Sequence, residues 1–445
     1  MDDLHHLTAS EAARLLRDGR ITSVELVEAC LARIAEKEPE VQAWHYLDRD
    51  HALAQARAAD DAHKAGRPEG PLHGVPVGIK DIFDTRGMPT ENGSVLHAGR
   101  TPRYDAAAVA LLREAGAVIL GKTVTTEFAN FAPSKTRNPH NPAHTPGGSS
   151  SGSAAAVAAG MVPLAIGSQT NGSTIRPAAF CGVYGYKPTH GLISRRGSLC
   201  LSRALDHVGV FARTIEDVAL IAEALMRYDE DDADMRPAAP PPLRRIAAEE
   251  PPVEPKLAFV KTPVWDQAED VMKDAFADLV EALGDRVEPV ELPEFFAGAW
   301  PAQKTIMEAD TAHNLRREFE SGRDKLSPSL RQAIERGRAS TAKDYLAALA
   351  LVPTLDAEIT DVTFAYDAIL TPAAAGPAPH GLAHTGSPAF CTLWTLCGTP
   401  AITLPLLADE RGMPMGVQLV SRRGDDARLL RTARWLVREL AAKAG

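Results

Sequence analysis

Two clusters of glycine and hydroxyl residues lie close together in the sequence: Pro146-Gly147-Gly148-Ser149-Ser150-Ser151-Gly152-Ser153 and Gly167-Ser168-Gln169-Thr170-Asn171-Gly172-Ser173. This density of small residues is typical either of a flexible linker or of a backbone bent tightly around a ligand. Residues 154–166, between the clusters, are almost entirely apolar. A linker has no reason to enclose a segment that would be buried, and we therefore interpret both clusters as structured loops.

Helical and strand patterns alternate on both sides of these loops. Residues 8–11 and 22–25 each match a capping box ahead of apolar residues at helical spacing. Residues 72–81 and 117–122 have strand character and flank a helical pattern. Helices are also predicted at 50–65, 106–114, 154–159, 214–226, 267–283, 308–319, 330–351 and 425–440, and strands at 164–166, 181–185, 256–260, 368–372, 401–405 and 416–420. The alternation predicts an α/β fold.

Residues 229–255 are acidic and then proline-rich, which is the one composition shift that resembles a domain linker. Strand and helix patterns resume after it, so we interpret it as a surface excursion within one domain covering residues 1–445. Within that domain we distinguish a helical N-terminal segment (1–66), a core that contains both clusters (about 72–214), a variable region (about 256–390) and a C-terminal strand and helix (400–440).

Composition excludes several classes of protein. The chain has 48 Lys and Arg against 58 Asp and Glu, for a formal charge of −10, and it lacks the basic block that a nucleic-acid partner requires. The first residues are acidic and no apolar run reaches the length of a membrane span, so we expect a cytoplasmic protein without a membrane partner. The five cysteines form no Cys-x-x-Cys pair and predict buried thiols.

Two serines compete for the role of nucleophile. Gly148 to Gly152 match Gly-x-Ser-x-Gly, which would select Ser150, but that motif needs a buried strand just before it and residues 138–146 are a proline-containing loop. The favoured alternative is Ser173, because successive backbone N–H groups of Thr170, Asn171, Gly172 and Ser173 can form an oxyanion hole. Its base would be Lys80, provided that burial keeps the amine neutral; taken alone, Lys80 would be read as a surface ion pair with Asp81 or Asp84.

Several separated motifs together resemble the amidase signature family. They are Gly74-Val75-Pro76-Val77-Gly78-Ile79-Lys80-Asp81, then residues 145–155, then Gly172-Ser173 with residues 177–183 and Lys187-Pro188-Thr189, then residues 205–209 with 212–214, and residues 412–419. The 24 positions from Ser149 to Ser173 match the family's spacing. The chain is identified as a member, from about Thr8 to its end.

The resemblance implies a single α/β domain with a large, twisted, mixed central β-sheet flanked by helices on both faces. It also implies a catalytic triad of Ser173 as nucleophile, Ser149 as proton bridge and Lys80 as base, with a cis peptide bond between Gly148 and Ser149. The oxyanion hole falls on the N–H groups named above. Gly147, Gly148, Ser150, Gln169 and Arg176 would support these loops.

The second cluster departs from the commonest family pattern. Gln169 replaces an aspartate, Asn171 replaces a glycine, and Thr174 moves the arginine to Arg176. In the first cluster Ser151 stands where a glycine is usual. We expect catalysis to be intact, with a different charge behind the oxyanion loop.

Other candidate residues are assigned structural roles. We interpret His140, His144, His380 and His384 as solvated loop histidines and predict neither a metal nor a cofactor. Arg176 is expected to tie the oxyanion loop to a carboxylate. Cys200 could line a substrate pocket, although a small core residue is the favoured interpretation. Trp394 could either face the acyl group or pack in the core.

The sequence thus predicts an amidohydrolase that cleaves a small linear carboxamide through an acyl-enzyme. Three alternatives stay open: the glutaminase subunit of a tRNA-dependent amidotransferase, an ester hydrolase, and a non-catalytic binding protein, which the presence of all three triad residues disfavours. The family resemblance is compatible with a homodimer and does not set the oligomeric state. The identity of the acyl and amine groups is not encoded in any charge pattern of residues 308–319 or 373–390.

Overall fold

The computed structural model describes residues 4–68 and 70–444, which form one mixed sheet of eleven strands covered by fifteen α-helices. The strands are β1 (Trp44–Leu47), β2 (Pro76–Lys80), β3 (Val118–Thr123), β4 (Leu164–Gln169), β5 (Tyr184–Lys187), β6 (His207–Ala212), β7 (Leu257–Val260), β8 (Val287–Val290), β9 (Ala368–Pro372), β10 (Ala401–Ala408) and β11 (Pro414–Val420). The helices are α1 (Ala9–Arg17), α2 (Ser23–Val41), α3 (Arg49–Lys64), α4 (Ala107–Glu114), α5 (Ser151–Ala158), α6 (Ile175–Cys181), α7 (Ile215–Leu225), α8 (Leu243–Ala248), α9 (Asp270–Leu283), α10 (Ala299–Asn314), α11 (Arg316–Gly322), α12 (Pro328–Ala339), α13 (Ala342–Ala365), α14 (Ala389–Leu396) and α15 (Asp426–Ala444).

The strand order is β1-β3-β2-β4-β6-β5-β10-β11-β9-β7-β8. Strand β2 lies between β3 and β4 and is parallel to both. From β4 through β6, β5, β10 and β11 to β9 each neighbour is antiparallel, and β9, β7 and β8 are parallel again. The carboxyl ends of β2, β3 and β4 therefore meet at one edge of the sheet, which is where open α/β sheets carry their functional side chains.

Every residue of β2, β3 and β4 is buried. In β3, Val118 and Leu120 belong to the apolar core beneath α2, α3 and α5, whereas Ile119 belongs to the core on the opposite face, beneath α1, α4 and α7. A strand covered on both faces needs apolar side chains at successive positions. The predicted α/β fold with helices on both faces is confirmed.

The first two helices begin as their capping boxes predict. Thr8 and Glu11 cap α1, and Thr22 and Glu25 cap α2, each threonine accepting from the glutamate N–H while the glutamate accepts in return. The two glycine clusters are structured, as expected, because the apolar segment between them forms α5 and β4.

Several boundaries differ from the predictions. The strand predicted at 181–185 begins only at Tyr184, because α6 ends at Cys181 and Gly182 adopts a left-handed conformation (φ 67°) that caps it. The pattern at 330–351 is divided between α12 and α13, since Thr341 caps a new helix by accepting from the N–H of Asp344. Strands β1, β6 and β8 were not predicted, and β1 and β8 have only four residues each.

Residues 229–255 are the surface excursion that their composition predicts. Asp229, Asp232 and Asp234 form ion pairs with Arg195, Arg196 and Arg203. Helix α8 lies within the same stretch and packs against α7 and α15, with Leu243 and Ala247 buried, so the stretch is exposed only in part. Across residues 4–68 and 70–444, no helix is both long enough and apolar enough to span a bilayer.

Candidate active site

The parallel edge of the sheet brings Lys80 and the first serine cluster together. Lys80 ends β2, and its Nζ lies 2.8 Å from Ser149 Oγ and 2.8 Å from Ser168 Oγ, donating to both. The alternative of a surface ion pair is wrong, because Lys80 is fully buried and Asp81 pairs instead with Lys122 at 3.2 Å. A lysine that is hydrogen-bonded to two neutral hydroxyls has a lower pKa than one paired with a carboxylate, because no negative charge stabilises its ammonium form.

Burial sets the protonation of this lysine. It lowers the pKa of Lys80 well below its usual value, because the charged ammonium loses its hydration, while the carboxylate of Asp206 acts in the opposite direction. Asp206 is itself buried, and burial raises the pKa of its carboxyl group. Both effects favour the neutral amine that a general base requires.

The first cluster is a tight loop that leads into α5. The peptide bond between Gly148 and Ser149 is cis. Gly147 has a φ of 82°, and a Cβ at that position would lie 2.8 Å from Pro177 Cα. Only glycine meets both requirements, so the loop packs directly against α6.

Ser150 and Ser151 hold this loop in place. The Ser150 hydroxyl donates to Ser168 O at 3.2 Å and accepts from Ser168 N at 3.2 Å, and Ser151 Oγ donates to Gly147 O at 2.9 Å. Ser150 is fully buried, which agrees with the supporting role predicted for it and disfavours the Gly-x-Ser-x-Gly alternative.

Ser173 is the last residue of the second cluster and is 8% exposed. Its carbonyl accepts from Ser150 N at 3.4 Å, which joins the two clusters. At Gly172 an added Cβ would lie 3.0 Å from Pro388 Cβ and 3.2 Å from Cys391 Cβ. The loop from Thr170 to Ser173 is therefore packed tightly against the start of α14.

The two substituted residues of this loop are fully bonded. Gln169 Oε1 accepts from the N–H groups of Thr174 (2.8 Å) and Ile175 (3.0 Å) at the start of α6. Asn171 Oδ1 accepts from Thr392 Oγ1 at 2.8 Å, and Asn171 Nδ2 donates to Gln303 Oε1 at 3.2 Å. A neutral amide thus takes the place of the family's aspartate while still accepting two backbone N–H groups.

Arg176 departs from its predicted partner. Its guanidinium donates to Gly148 O at 2.6 Å, Gly386 O at 2.6 Å and Thr385 Oγ1 at 3.2 Å. The prediction of a carboxylate partner is wrong. Burial lowers the pKa of Arg176 to about 10, and the residue ties the first serine cluster to residues 385–386.

Two residues near Lys80, Ser168 and Asp206, had no role predicted from the sequence. Ser168 gives Lys80 its second partner, and Asp206 accepts from Thr170 Oγ1 at 2.6 Å and from the N–H groups of Leu201 (2.8 Å) and Ser202 (3.0 Å). Ser168 lies in the second glycine and hydroxyl cluster, and Asp206 lies in the motif at 205–209. The parallel pairing of β2 with β4 is the signal that could have indicated Ser168.

A cleft of about 420 Å³ opens beside Asn171. Helix α10 and the start of α14 form much of its wall, and its surface is mostly apolar. Its lining includes Phe131, Trp300, Gln303, Lys304, Met307, Glu308, Ala333, Arg336, Pro388 and Thr392. Most of the lining residues lie within the variable region predicted at about 256–390, whereas Asn130, Phe131 and Asn171 lie outside it.

The other candidates have structural positions. His144 is buried and its Nδ1 lies 2.7 Å from Ala378 O, so the prediction of a solvated histidine is wrong there, because the loop folds against residues 378–380. Cys200 is exposed and lines a second, charged cleft, contrary to the predicted core position. Trp394 is fully buried and packs in the core.

The mixed α/β fold and the buried lysine–serine cluster agree with a comparison of the chain with known families. The model of the family described as Amidase matches residues 25–430. The chain belongs to this family, as its motifs indicated, and is an enzyme that hydrolyses carbon–nitrogen bonds.

Known proteins similar to this chain fall into two groups. One subunit of the glutamyl-tRNA(Gln) amidotransferase of Chloroflexus aurantiacus is 37% identical over 479 aligned residues, covering 97% of this chain and 96% of the relative. The solved structure of native peptide amidase from Stenotrophomonas maltophilia is 29% identical with a TM-score of 0.84, covering 97% and 96% of the two chains. The solved structure of 6-aminohexanoate cyclic dimer hydrolase complexed with substrate is 27% identical with a TM-score of 0.88, covering 98% of each.

Proposed function

We propose that the chain is an amidohydrolase that cleaves a linear carboxamide to a carboxylate and ammonia or an amine. Ser173 is the nucleophile, Ser149 carries the proton, and Lys80 is the base. The observation that carries this proposal is the buried Nζ of Lys80 at 2.8 Å from Ser149 Oγ, in surroundings that favour the neutral amine.

The proton moves in a relay. The Ser149 hydroxyl gives its proton to the lone pair of Lys80 and takes one from Ser173, whose oxygen attacks the carbonyl carbon. The N–H groups of Thr170, Asn171, Gly172 and Ser173 stabilise the oxyanion. The relay then returns the proton to the leaving nitrogen, and a water molecule repeats the sequence on the acyl-enzyme, releasing the carboxylate and restoring Ser173.

Covalent trapping tests the nucleophile. A fluorophosphonate reagent followed by peptide mapping should modify Ser173, and modification of Ser150 would overturn the assignment.

Lys80→Ala should lower kcat by about 10²- to 10⁴-fold, the range for general base catalysis, with an unchanged circular dichroism spectrum. Full activity in that variant would exclude Lys80 as the base.

A second candidate is the glutaminase subunit of a tRNA-dependent amidotransferase. The amidotransferase relative is the more similar in sequence. The cleft is lined by Glu308, which forms an ion pair with Arg336 (2.6 Å), and by Lys304. These side chains are a negative partner for the ammonium group and positive partners for the carboxylate of a free amino acid such as glutamine.

Ammonia release decides between the two. The protein alone is assayed with glutamine and with aryl, aliphatic and ureido amides, and glutamine is then assayed again with candidate partner subunits. Turnover of simple amides by the isolated chain supports the amidohydrolase. Release from glutamine only in the presence of a partner supports the amidotransferase. A homodimer and a cytoplasmic location stay predictions, and the ester hydrolase stays an alternative.

A further inference from the structure

Side chains from α10 and α14 hold the carbonyl groups of the oxyanion loop. Gln303 Nε2 on α10 donates to Thr170 O at 3.1 Å. Thr395 Oγ1 on α14 donates to Asn171 O at 2.5 Å. These are the two carbonyls whose peptide units carry the N–H groups of Asn171 and Gly172.

A trans peptide unit is planar, and its C=O and N–H bonds point in opposite directions. Holding the Thr170 carbonyl from one side therefore directs the Asn171 N–H to the other side. The same argument applies to the Asn171 carbonyl and the Gly172 N–H. Two of the four N–H groups proposed for the oxyanion hole are thus oriented by hydrogen bonds to the carbonyl on the opposite side of the same peptide unit.

Each anchor is itself fixed by a second hydrogen bond. Gln303 Oε1 accepts from Asn171 Nδ2 at 3.2 Å, and Thr395 Oγ1 accepts from Gln169 Nε2 at 2.9 Å. Gln303 is only 2% exposed. The residues that depart from the family's common pattern, Gln169 and Asn171, are the loop's own contribution to this network.

We propose that Gln303 and Thr395 are positioning residues that preorganise the oxyanion hole, with Gln303 linking that hole to the wall of the substrate cleft. This inference rests on the proposed function, because it assumes that the loop stabilises an oxyanion formed at Ser173. Donors that are oriented before the reaction need no reorganisation in the transition state, so losing an anchor lowers kcat rather than substrate affinity.

Thr395→Val and Gln303→Leu remove the two anchors. We expect each to lower kcat on a simple amide by about tenfold or more, less than the about 10²- to 10³-fold lost with a whole oxyanion donor. For Thr395→Val, KM should change less than twofold. Thr395 does not line the described cleft, so its effect cannot come from a substrate contact. The matched control is Gln267→Leu, which removes an amide from the lining of the same cleft and should act on KM.

Gln303→Glu separates positioning from packing. The carboxylate of this variant can still accept from Asn171 Nδ2, but it has an oxygen in place of the N–H donor to the Thr170 carbonyl. We therefore expect kcat to fall as in Gln303→Leu. A protonated carboxyl group can donate again. The ratio of kcat between this variant and the wild type should therefore rise as pH falls, which a packing effect would not produce.

The outcomes are distinct. If the fluorophosphonate modifies a residue other than Ser173 in the wild type, the proposed function fails and the inference with it. If Ser173 is modified but Thr395→Val and Gln303→Leu retain wild-type kcat, or change only KM, the inference alone is overturned. A pH-independent ratio for Gln303→Glu also contradicts it.

Discussion

Lys80 and Lys122 are fully buried on the neighbouring strands β2 and β3 and differ in their partners. Lys122 pairs with Asp81 and donates to Phe83 O at 2.9 Å and Thr90 Oγ1 at 2.6 Å. Burial lowers its pKa to about 8 against the pull of Asp81. Lys80 donates to two serine hydroxyls instead, so Lys122 has a carboxylate partner that favours its charged form, whereas the partners of Lys80 suit the neutral amine that we propose as the base.

The lowered pKa of Lys80 makes a prediction about stability. Between that lowered pKa and the ordinary value of 10.5, the unfolded chain binds one more proton at this residue than the folded chain, so stability rises with pH. Lys80→Met removes this dependence. We expect the difference between the free energies of unfolding, wild type minus variant, to increase by up to about 1.4 kcal/mol per pH unit.

Urea titrations of both proteins at pH 7.5, 8.5 and 9.5 measure the difference. The titrating groups that do not interact with Lys80 are common to the two chains and cancel. Parallel stability curves would show that Lys80 is charged in the folded protein.

The motifs predict Lys80, Ser149 and Ser173 as the reacting residues because their spacing along the chain is distinctive. The partners of Lys80 and Arg176 were harder to predict, since they depend on strand pairing and loop packing between distant segments. Ser168 lies beside Lys80 only because β2 and β4 are parallel neighbours. The partners of Arg176 are the carbonyls of Gly148 and Gly386 and the hydroxyl of Thr385, and no local pattern connects these distant segments.

At the scale of elements, Asp217 attaches the first helix to the core. Lying in the first turn of α7, it accepts from Ala9 N at 2.9 Å, Ser10 N at 2.7 Å and Ser10 Oγ at 2.7 Å. Its carboxylate therefore satisfies N–H groups at the start of α1, which lies far away along the sequence.

Asp217→Ala should cost about 2 kcal/mol of stability, because hydrogen bonds to a charged group contribute about 1.5–3 kcal/mol. Urea denaturation gives the value, and hydrogen exchange should show lost protection confined to residues 9–17. Asp217→Asn keeps one acceptor and should lie between the two proteins. Equal protection in all three would contradict this role for Asp217.

Elements with a strong period or cap were predicted well, and short or atypical ones were not. Capping boxes located α1 and α2 because their signal is local. Strand β6 begins with a histidine and contains Gly209, so it resembles a loop until β4 and β5 pair with it on either side. Its structure is thus determined by tertiary contacts.

At the scale of the whole molecule, the sheet joins the two halves of the chain. Strand β5 precedes the excursion at 229–255 and β10 follows it, and the two pair in antiparallel fashion through Gly185, Tyr186 and Lys187. The excursion therefore connects two parts of one sheet and does not link independent domains.

Cutting the chain in this excursion should leave the enzyme assembled. A protease site inserted between Ala239 and Pro240, where the backbone is exposed, allows a single cleavage. We expect the two fragments to co-elute in size-exclusion chromatography and to retain at least half of the activity of the uncut variant. Separation of the fragments without denaturant would indicate two autonomous units.

Gln303 both lines the cleft and donates to the Thr170 carbonyl, which affects how the enzyme could be re-engineered. Substitutions on the α10 side of the cleft would disturb selectivity and turnover together, whereas Ala333 and Arg336 line the α12 side. A library that aims at new acyl groups should therefore diversify the α12 side and leave Gln303 unchanged. Natural selection for new substrates would meet the same constraint, because residues on the α12 side can vary without altering the oxyanion loop, whereas Gln303 on the α10 side cannot.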